Sequence, residues 1–152
     1  MINYLINTET LAIIPTLDNK SYIIEENDEF FVESTPNNII KKNCRINGSS
    51  YLMRLKKTEL LTGDTYKAPI LINNNDNIIF FPTSSPRKKC VSWINLFNVD
   101  RTFFDKSKNH TIIKFLNGKT LKIDASLNII NNQIFRATRL EHKLGKIKAQ
   151  NA

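Results

Sequence analysis

The chain has 152 residues, enough for one hydrophobic core and not for two, and 41% hydrophobic against 24% charged residues sets it among globular rather than disordered sequences. No apolar run approaches the ~18 residues of a membrane span, and the N-terminus MINYLINTET lacks the basic, apolar and small-residue order of an export signal. A cytoplasmic protein away from the membrane, with Cys44 and Cys90 as buried reduced thiols, is therefore expected. The net charge of +8 is unevenly held: residues 1–40 carry seven acidic and one basic side chain, residues 41–152 seven acidic and twenty-one basic. One domain spanning 1–152, with an acidic strand-rich part to residue 40 and a basic part after it, is the simplest reading. Such a basic part suits a polyanion, because each phosphate it neutralises releases condensed counterions. An A/T-rich genome, whose codons favour Lys, Asn and Ile, would also give a merely solvated basic face.

In chain order, TLAIIPT (10–16) and SYII (21–24) read as two strands joined by Asp18, Asn19 and Lys20, with Pro15 placing the first strand at an edge or a bulge. A charged turn leads to a short strand from Phe30 to Val32. Thr35 can cap, and Pro36 open, a short helix over Asn37 to Asn43. A serine of Gly48-Ser49-Ser50 caps a helix over about 50–61 that ends at Gly63. At 100° per residue this helix groups Tyr51, Leu52 and Leu55 for burial and turns Arg54 and Lys57 outward. Ala68 to Ile72 and Ile78 to Phe81, on either side of Asn73-Asn74-Asn75-Asp76, predict a hairpin buried on both faces, ended by Pro82. Val91 to Val99 reads as one strand with Trp93 buried. TIIKFL and KTLKI around Asn117-Gly118 predict a hairpin with a two-residue type I′ turn. From Ser126 to about Leu144 the period becomes helical, with Leu127, Ile130, Ile134, Ala137, Leu140 and Leu144 on one side and Arg136, Arg139 and Lys143 on the other; Lys146 to Ala152 reads as a frayed tail. The fold class is thus α+β, a mainly antiparallel β-sheet with a central helix and a C-terminal amphipathic helix.

Catalytic and cofactor chemistry finds little support. His110, His142, Cys44 and Cys90 lack metal-site spacing, no Gly-rich phosphate loop exists among four glycines, and Gly48-Ser49-Ser50 is a helix cap rather than a nucleophile elbow. The aspartates of the basic part, at 64, 76, 100, 105 and 124, are scattered at loops and ends instead of clustered for metal ions. No cofactor, no metal and no enzymatic activity are expected.

The blocks CRINGSSYLMR, KAPILI, NIIFFPTSSP, C-x-x-W-I, NGKT and NQIFRATR, spread over about residues 44–139, resemble the ComK family of bacterial competence transcription factors. The resemblance implies a sequence-specific activator of the competence (DNA-uptake) regulon, located at the bacterial nucleoid. It would read paired A/T-rich boxes of double-stranded DNA largely through the minor groove, and assemble as a homodimer or higher oligomer. It also implies capture by a protease-adaptor protein, through a tail that the family's longer form carries past the C-terminal helix; the sequence ends at Ala152, so capture and full oligomerisation are expected to differ here.

Minor-groove readers insert Arg and Lys into a narrow A/T groove of enhanced negative potential and fix register on phosphates. The candidate DNA-binding residues are Arg45, Arg54 and Lys57 near the first basic helix, the turn Arg87, Lys88 and Lys89, and the back of the last helix at Arg136, Arg139 and Lys143. Phe80, Phe81 and Trp93 read as core rather than as intercalating wedges. The same basic surface would serve an RNA-binding or ribosome-associated module, though no RNP-type aromatic pair is visible; a DNA-processing enzyme is the remaining alternative.

Overall fold

The computed structural model describes residues 3–88, 91–107 and 110–151. It begins with an antiparallel meander of β1 (Thr10–Pro15), β2 (Ser21–Glu25) and β3 (Glu29–Val32). Asn19 turns the first hairpin at φ +62°, a left-handed conformation that Asn tolerates better than most residues. Helix α1 (Pro36–Ile46) starts where Thr35 Oγ1 accepts the Asn38 N–H at 3.3 Å, and α2 (Tyr51–Thr62) where Ser50 Oγ accepts the Met53 N–H at 3.1 Å; Gly63, at φ +81°, closes α2. Strands β4 (Ile70–Asn73), β5 (Ile78–Pro82) and β6 (Trp93–Asn95) follow. A 3-10 turn over Leu96–Asn98 then leads into β7 (Val99–Asp105), β8 (His110–Phe115), β9 (Thr120–Ile123) and the long helix α3 (Leu127–Gln150).

The strands form two sheets, a six-stranded one in the order β3-β2-β1-β6-β5-β4 and a three-stranded one in the order β7-β8-β9, antiparallel throughout. The protein is α+β. Because successive side chains point to opposite faces, the unbroken apolar runs of β4, β5 and β1 serve two cores at once. Ile13, Ile70, Ile72, Phe80 and Trp93 pack beneath α1 and α2 with Ile39, Ile40 and Cys44. Leu11, Leu71, Ile79, Phe81 and Ile94 pack on the other face with Ile113 and Phe115 of the small sheet and Ile130, Ala137, Leu140 and Leu144 of α3. Cys44 is a buried free thiol, and burial pushes its pKa up to about 11 against the pull of Arg54 and Arg45; Cys90 lies outside the described residues.

Several local expectations are corrected by long-range partners. Strand β1 is interior, between β2 and β6; it tolerates Pro15 because β6 pairs only with Ala12 and Ile13, so the missing N–H lies beyond that ladder. The single strand expected over 91–99 is broken in two. Asn95 Oδ1 accepts the Phe97 N–H, and the buried Asn95 and Asn98 amides donate to the carbonyls of Thr10 and Thr8, so the chain leaves one sheet and enters the other. The Asn117-Gly118 hairpin exists, but its loop has three residues. The Phe115 N–H donates to Lys119 O, the Gly118 N–H donates to Phe115 O, and Gly118 alone takes positive φ, at 91°: a type I turn with a glycine bulge in place of type I′. Finally, the residues expected as a frayed tail are helical as far as Gln150.

Helix α2 presents only part of the face its periodicity suggested: Tyr51 and Leu55 pack against the core as expected, but two neighbours do not follow. Leu52 is 61% exposed, whereas Arg54 is 4% exposed and donates from Nη1 to Asn74 Oδ1 at 3.2 Å. Thr58, one turn on from Arg54, sets the orientation: its buried hydroxyl donates to Pro69 O at 2.7 Å and anchors α2 to the segment entering β4.

Candidate nucleic-acid interface

The segment between β5 and β6 is built on its own side chains. Pro82 and Trp93 form the last pair of the ladder, and the Thr83 N–H then donates to Ser92 O at 2.9 Å. The Lys88 N–H donates to Ser85 O at 2.9 Å, closing a β-turn with Pro86 at the position where its fixed φ fits, and Ser85 Oγ accepts the Arg87 N–H at 3.4 Å. This turn lifts Arg87 and Lys88 into solvent; Lys89 lies outside the described residues.

Asn37, in the first turn of α1, ties that turn to the core. Its Nδ2 donates to Pro86 O at 2.8 Å, while its Oδ1 accepts the Nε1–H of the fully buried Trp93 at 2.9 Å. The result is a cleft of about 480 Å³ between α1, α2, the Thr65–Ala68 segment and the turn, lined by Lys41, Lys67 and Arg87 together with Tyr51, Tyr66 and Trp93. The Lys41 ammonium stands 5.9 Å from the centre of the Tyr51 ring and that of Lys67 5.5 Å from Tyr66. A second depression, lined by Lys41, Arg87 and Lys88 with Asn19 and Asn38, continues it over the start of α1. Arg45 lies one turn beyond Lys41 on α1, exposed and on the same side of the helix.

No carboxylate interrupts the lining of either depression. Lys20, Arg101, Lys119, Lys122, Arg136 and Arg139 each lie within 4 Å of a carboxylate. Among the described residues Lys41, Arg45, Lys67, Arg87 and Lys88 have no such partner, and neither do Lys56, Lys106, Lys114, Lys143 or Lys146 elsewhere; what marks this region is that several cations line adjoining depressions into which no Asp or Glu projects. The nearby cations therefore repel one another with no internal compensation, an arrangement that an incoming anion relieves.

The sequence-derived candidates divide accordingly. Arg45, Arg87 and Lys88 fall on this region. Lys57 is half-buried on α2, and Lys143 is exposed on α3. Arg54 is inside. Arg136 and Arg139, expected on the open back of α3, instead clamp the segment that follows α2: Arg136 Nη1 donates to Tyr66 O at 2.8 Å, Arg139 Nη2 to Thr62 O at 2.7 Å and to Asp64 Oδ1 at 3.2 Å. Lys41, Lys67 and Asn37 were missed. The i, i+4 spacing of Lys41 and Arg45 and the position of Lys67 at the head of KAPILI were the available signals.

A mainly antiparallel α+β chain with a cleft lined by Lys41, Lys67 and Arg87 over aromatic rings, and by no carboxylate, offers a surface suited to a polyanion. The chain matches the family model described as ComK protein over residues 1–148, and it belongs to that family. It is 36% identical over 145 residues, 93% of this chain and 74% of the relative, to the competence transcription factor of Bacillus subtilis (strain 168). No solved structure matches it.

Proposed function

We propose that the protein is a competence transcription factor that binds double-stranded A/T-rich DNA, reads it largely through the minor groove, and activates DNA-uptake genes from the bacterial nucleoid, without enzymatic activity. Family membership and the similarity to a competence transcription factor support the coarse reading. The observation that carries the placement is the carboxylate-free face of Lys41, Arg45, Lys67, Arg87 and Lys88. Arg45, Arg87 and Lys88 are the reach for phosphates and groove; Lys57, Lys143 and Lys89 extend the basic footprint. Arg54, Arg136 and Arg139 are occupied inside the fold, so their part in binding is to hold the elements that carry the others. One domain would do this work. Assembly as a dimer or higher oligomer on paired boxes, and delivery by a protease adaptor, complete the reading.

Selection from a pool of randomised duplexes tests it. Enrichment of paired A/T-rich boxes is the expected result; recovery of single-stranded RNA in preference to any duplex would favour the RNA-binding alternative, and metal-dependent loss of the duplexes would favour an enzyme.

A further inference from the structure

One wall of the cleft is the Tyr66–Lys67 pair, whose backbone the local sequence does not favour. Lys67 takes φ +51°, in the left-handed region that a long side chain seldom occupies. Long-range partners hold it there. The buried Gln133 of α3 donates from Nε2 to Lys67 O and to Pro82 O, each at 2.8 Å, and Arg136 Nη1 donates to Tyr66 O at 2.8 Å. Strained backbone that its surroundings over-determine in this way clusters at ligand sites. Here it leaves Tyr66 62% exposed on the cleft, with the Lys67 ammonium 5.5 Å from the centre of its ring. On α2, Tyr51 is set edge-on against Trp93 and has the Lys41 ammonium beside it, and Arg87 adds a third cation from the turn.

We infer that this cleft is a site for one unstacked nucleotide, with its base stacked on Tyr66 and its phosphate held by Lys41, Lys67 and Arg87. The lining selects that chemistry. Three cations and no carboxylate call for an anion, and a phosphate monoester carries about 1.5–2 negative charges at neutral pH. A phosphate alone would leave the tyrosines idle, whereas every nucleobase has a π-face that stacks on an aromatic ring, and stacking on Tyr66 brings the attached phosphate within reach of the Lys67 ammonium. The bases of an intact duplex are stacked on one another and offer no ring face to these side chains. At about 480 Å³ the cleft lies within the ~300–1,000 Å³ of small-molecule sites. A free nucleoside phosphate and a nucleotide swung out of a duplex share this chemistry. The inference rests on the cationic surface of the functional reading and goes beyond it in giving the rings a ligand.

In equilibrium dialysis without DNA, deoxyadenosine 5′-monophosphate should bind saturably with Kd below about 1 mM, and deoxyribose 5-phosphate and deoxyadenosine should each bind at least about tenfold more weakly. Tyr66→Ala should weaken the nucleotide about tenfold and Tyr66→Phe less than about threefold. Lys67→Gly should also weaken it, while the melting temperature holds or rises, because glycine takes the left-handed backbone freely. A 2-aminopurine placed in an A/T-rich box identifies the source. Emission that rises when the parent binds, and not when Tyr66→Ala binds, puts a nucleotide of the duplex in the cleft; no rise, with saturable binding of the monophosphate, makes the free nucleotide the ligand. Absence of both signals would overturn the inference, and normal duplex binding would then leave the functional reading standing; a chain that takes the nucleotide and no duplex would do the reverse. Either fragment bound as tightly as the nucleotide, or Tyr66→Ala without effect on either probe, would also overturn it.

Discussion

Replacing Lys41, Arg45, Arg87 and Lys88 together by Ala is expected to weaken binding to an A/T-rich duplex by about 4- to 1,000-fold, since exposed ion pairs contribute about 0.2–1 kcal/mol each. The salt dependence is the sharper reading. If all four meet phosphates, the slope of log affinity against log salt should flatten by up to about 3.6, or 0.9 per phosphate contact. Stability should hold or rise slightly, because these side chains have no carboxylate partner to lose and their mutual repulsion is relieved. Replacing Arg136 and Arg139 should do the reverse, lowering the melting temperature while leaving the slope nearly intact, because both are spent on Asp64 and on carbonyls. Equal slopes for the fourfold variant and the parent would remove the cleft from the interface.

The second large effect lies beneath that surface. Trp93 is fully buried, meets Tyr51 edge-on at 6.5 Å and donates to Asn37, the residue that holds the Pro86 carbonyl. Trp93→Ala should cost about 3–5 kcal/mol, the usual range for removing a large core aromatic. For a chain of this size that corresponds to a drop of roughly 10–20 °C in melting temperature. It should also weaken DNA binding with no cation removed, because the Asn37 amide loses the partner that orients it toward the turn. Trp93→Phe keeps most of the volume and loses the N–H, so chemical denaturation should report a smaller cost, about 1–3 kcal/mol. A loss below about 1 kcal/mol for Trp93→Ala would contradict the core as described.

Elements whose signals are local were legible in the sequence. Ser50 and Gly63 bound α2, Thr35 and Pro36 open α1, and the apolar runs of β4 and β5 pair as their length and composition suggest. What failed to show was decided by partners far along the chain. Asn95 and Asn98 look like ordinary strand residues until Thr10 and Thr8 supply the carbonyls that their amides need, and only then does the strand break into β6 and β7. Arg54 lies opposite the apolar residues on a helical wheel, yet Thr58 and Pro69 rotate α2 so that the guanidinium turns inward. The candidate site was half legible for the same reason. The basic turn at Arg87 and Lys88 could be read directly, whereas Lys41 and Lys67 joined it only through the Asn37 bridge and the packing of α1 against β6. Asp64, the residue that removes Arg136 and Arg139 from the free cations, is 75 residues away from Arg139 in sequence.

The measurement that tests the account most directly is a set of binding isotherms, at one salt concentration, with three duplexes that differ only in their boxes. In the minor groove an inosine·cytosine pair presents nearly the same edge as A·T, because inosine lacks the guanine amino group; in the major groove it resembles G·C. Boxes rebuilt with inosine·cytosine should keep most of the specific affinity, apart from a modest difference in deformability, whereas boxes rebuilt with G·C should lose about 1–3 kcal/mol per altered pair. An inosine·cytosine duplex bound as weakly as the G·C duplex would contradict the account, since the thymine methyl groups and major-groove acceptors would then be what the protein reads.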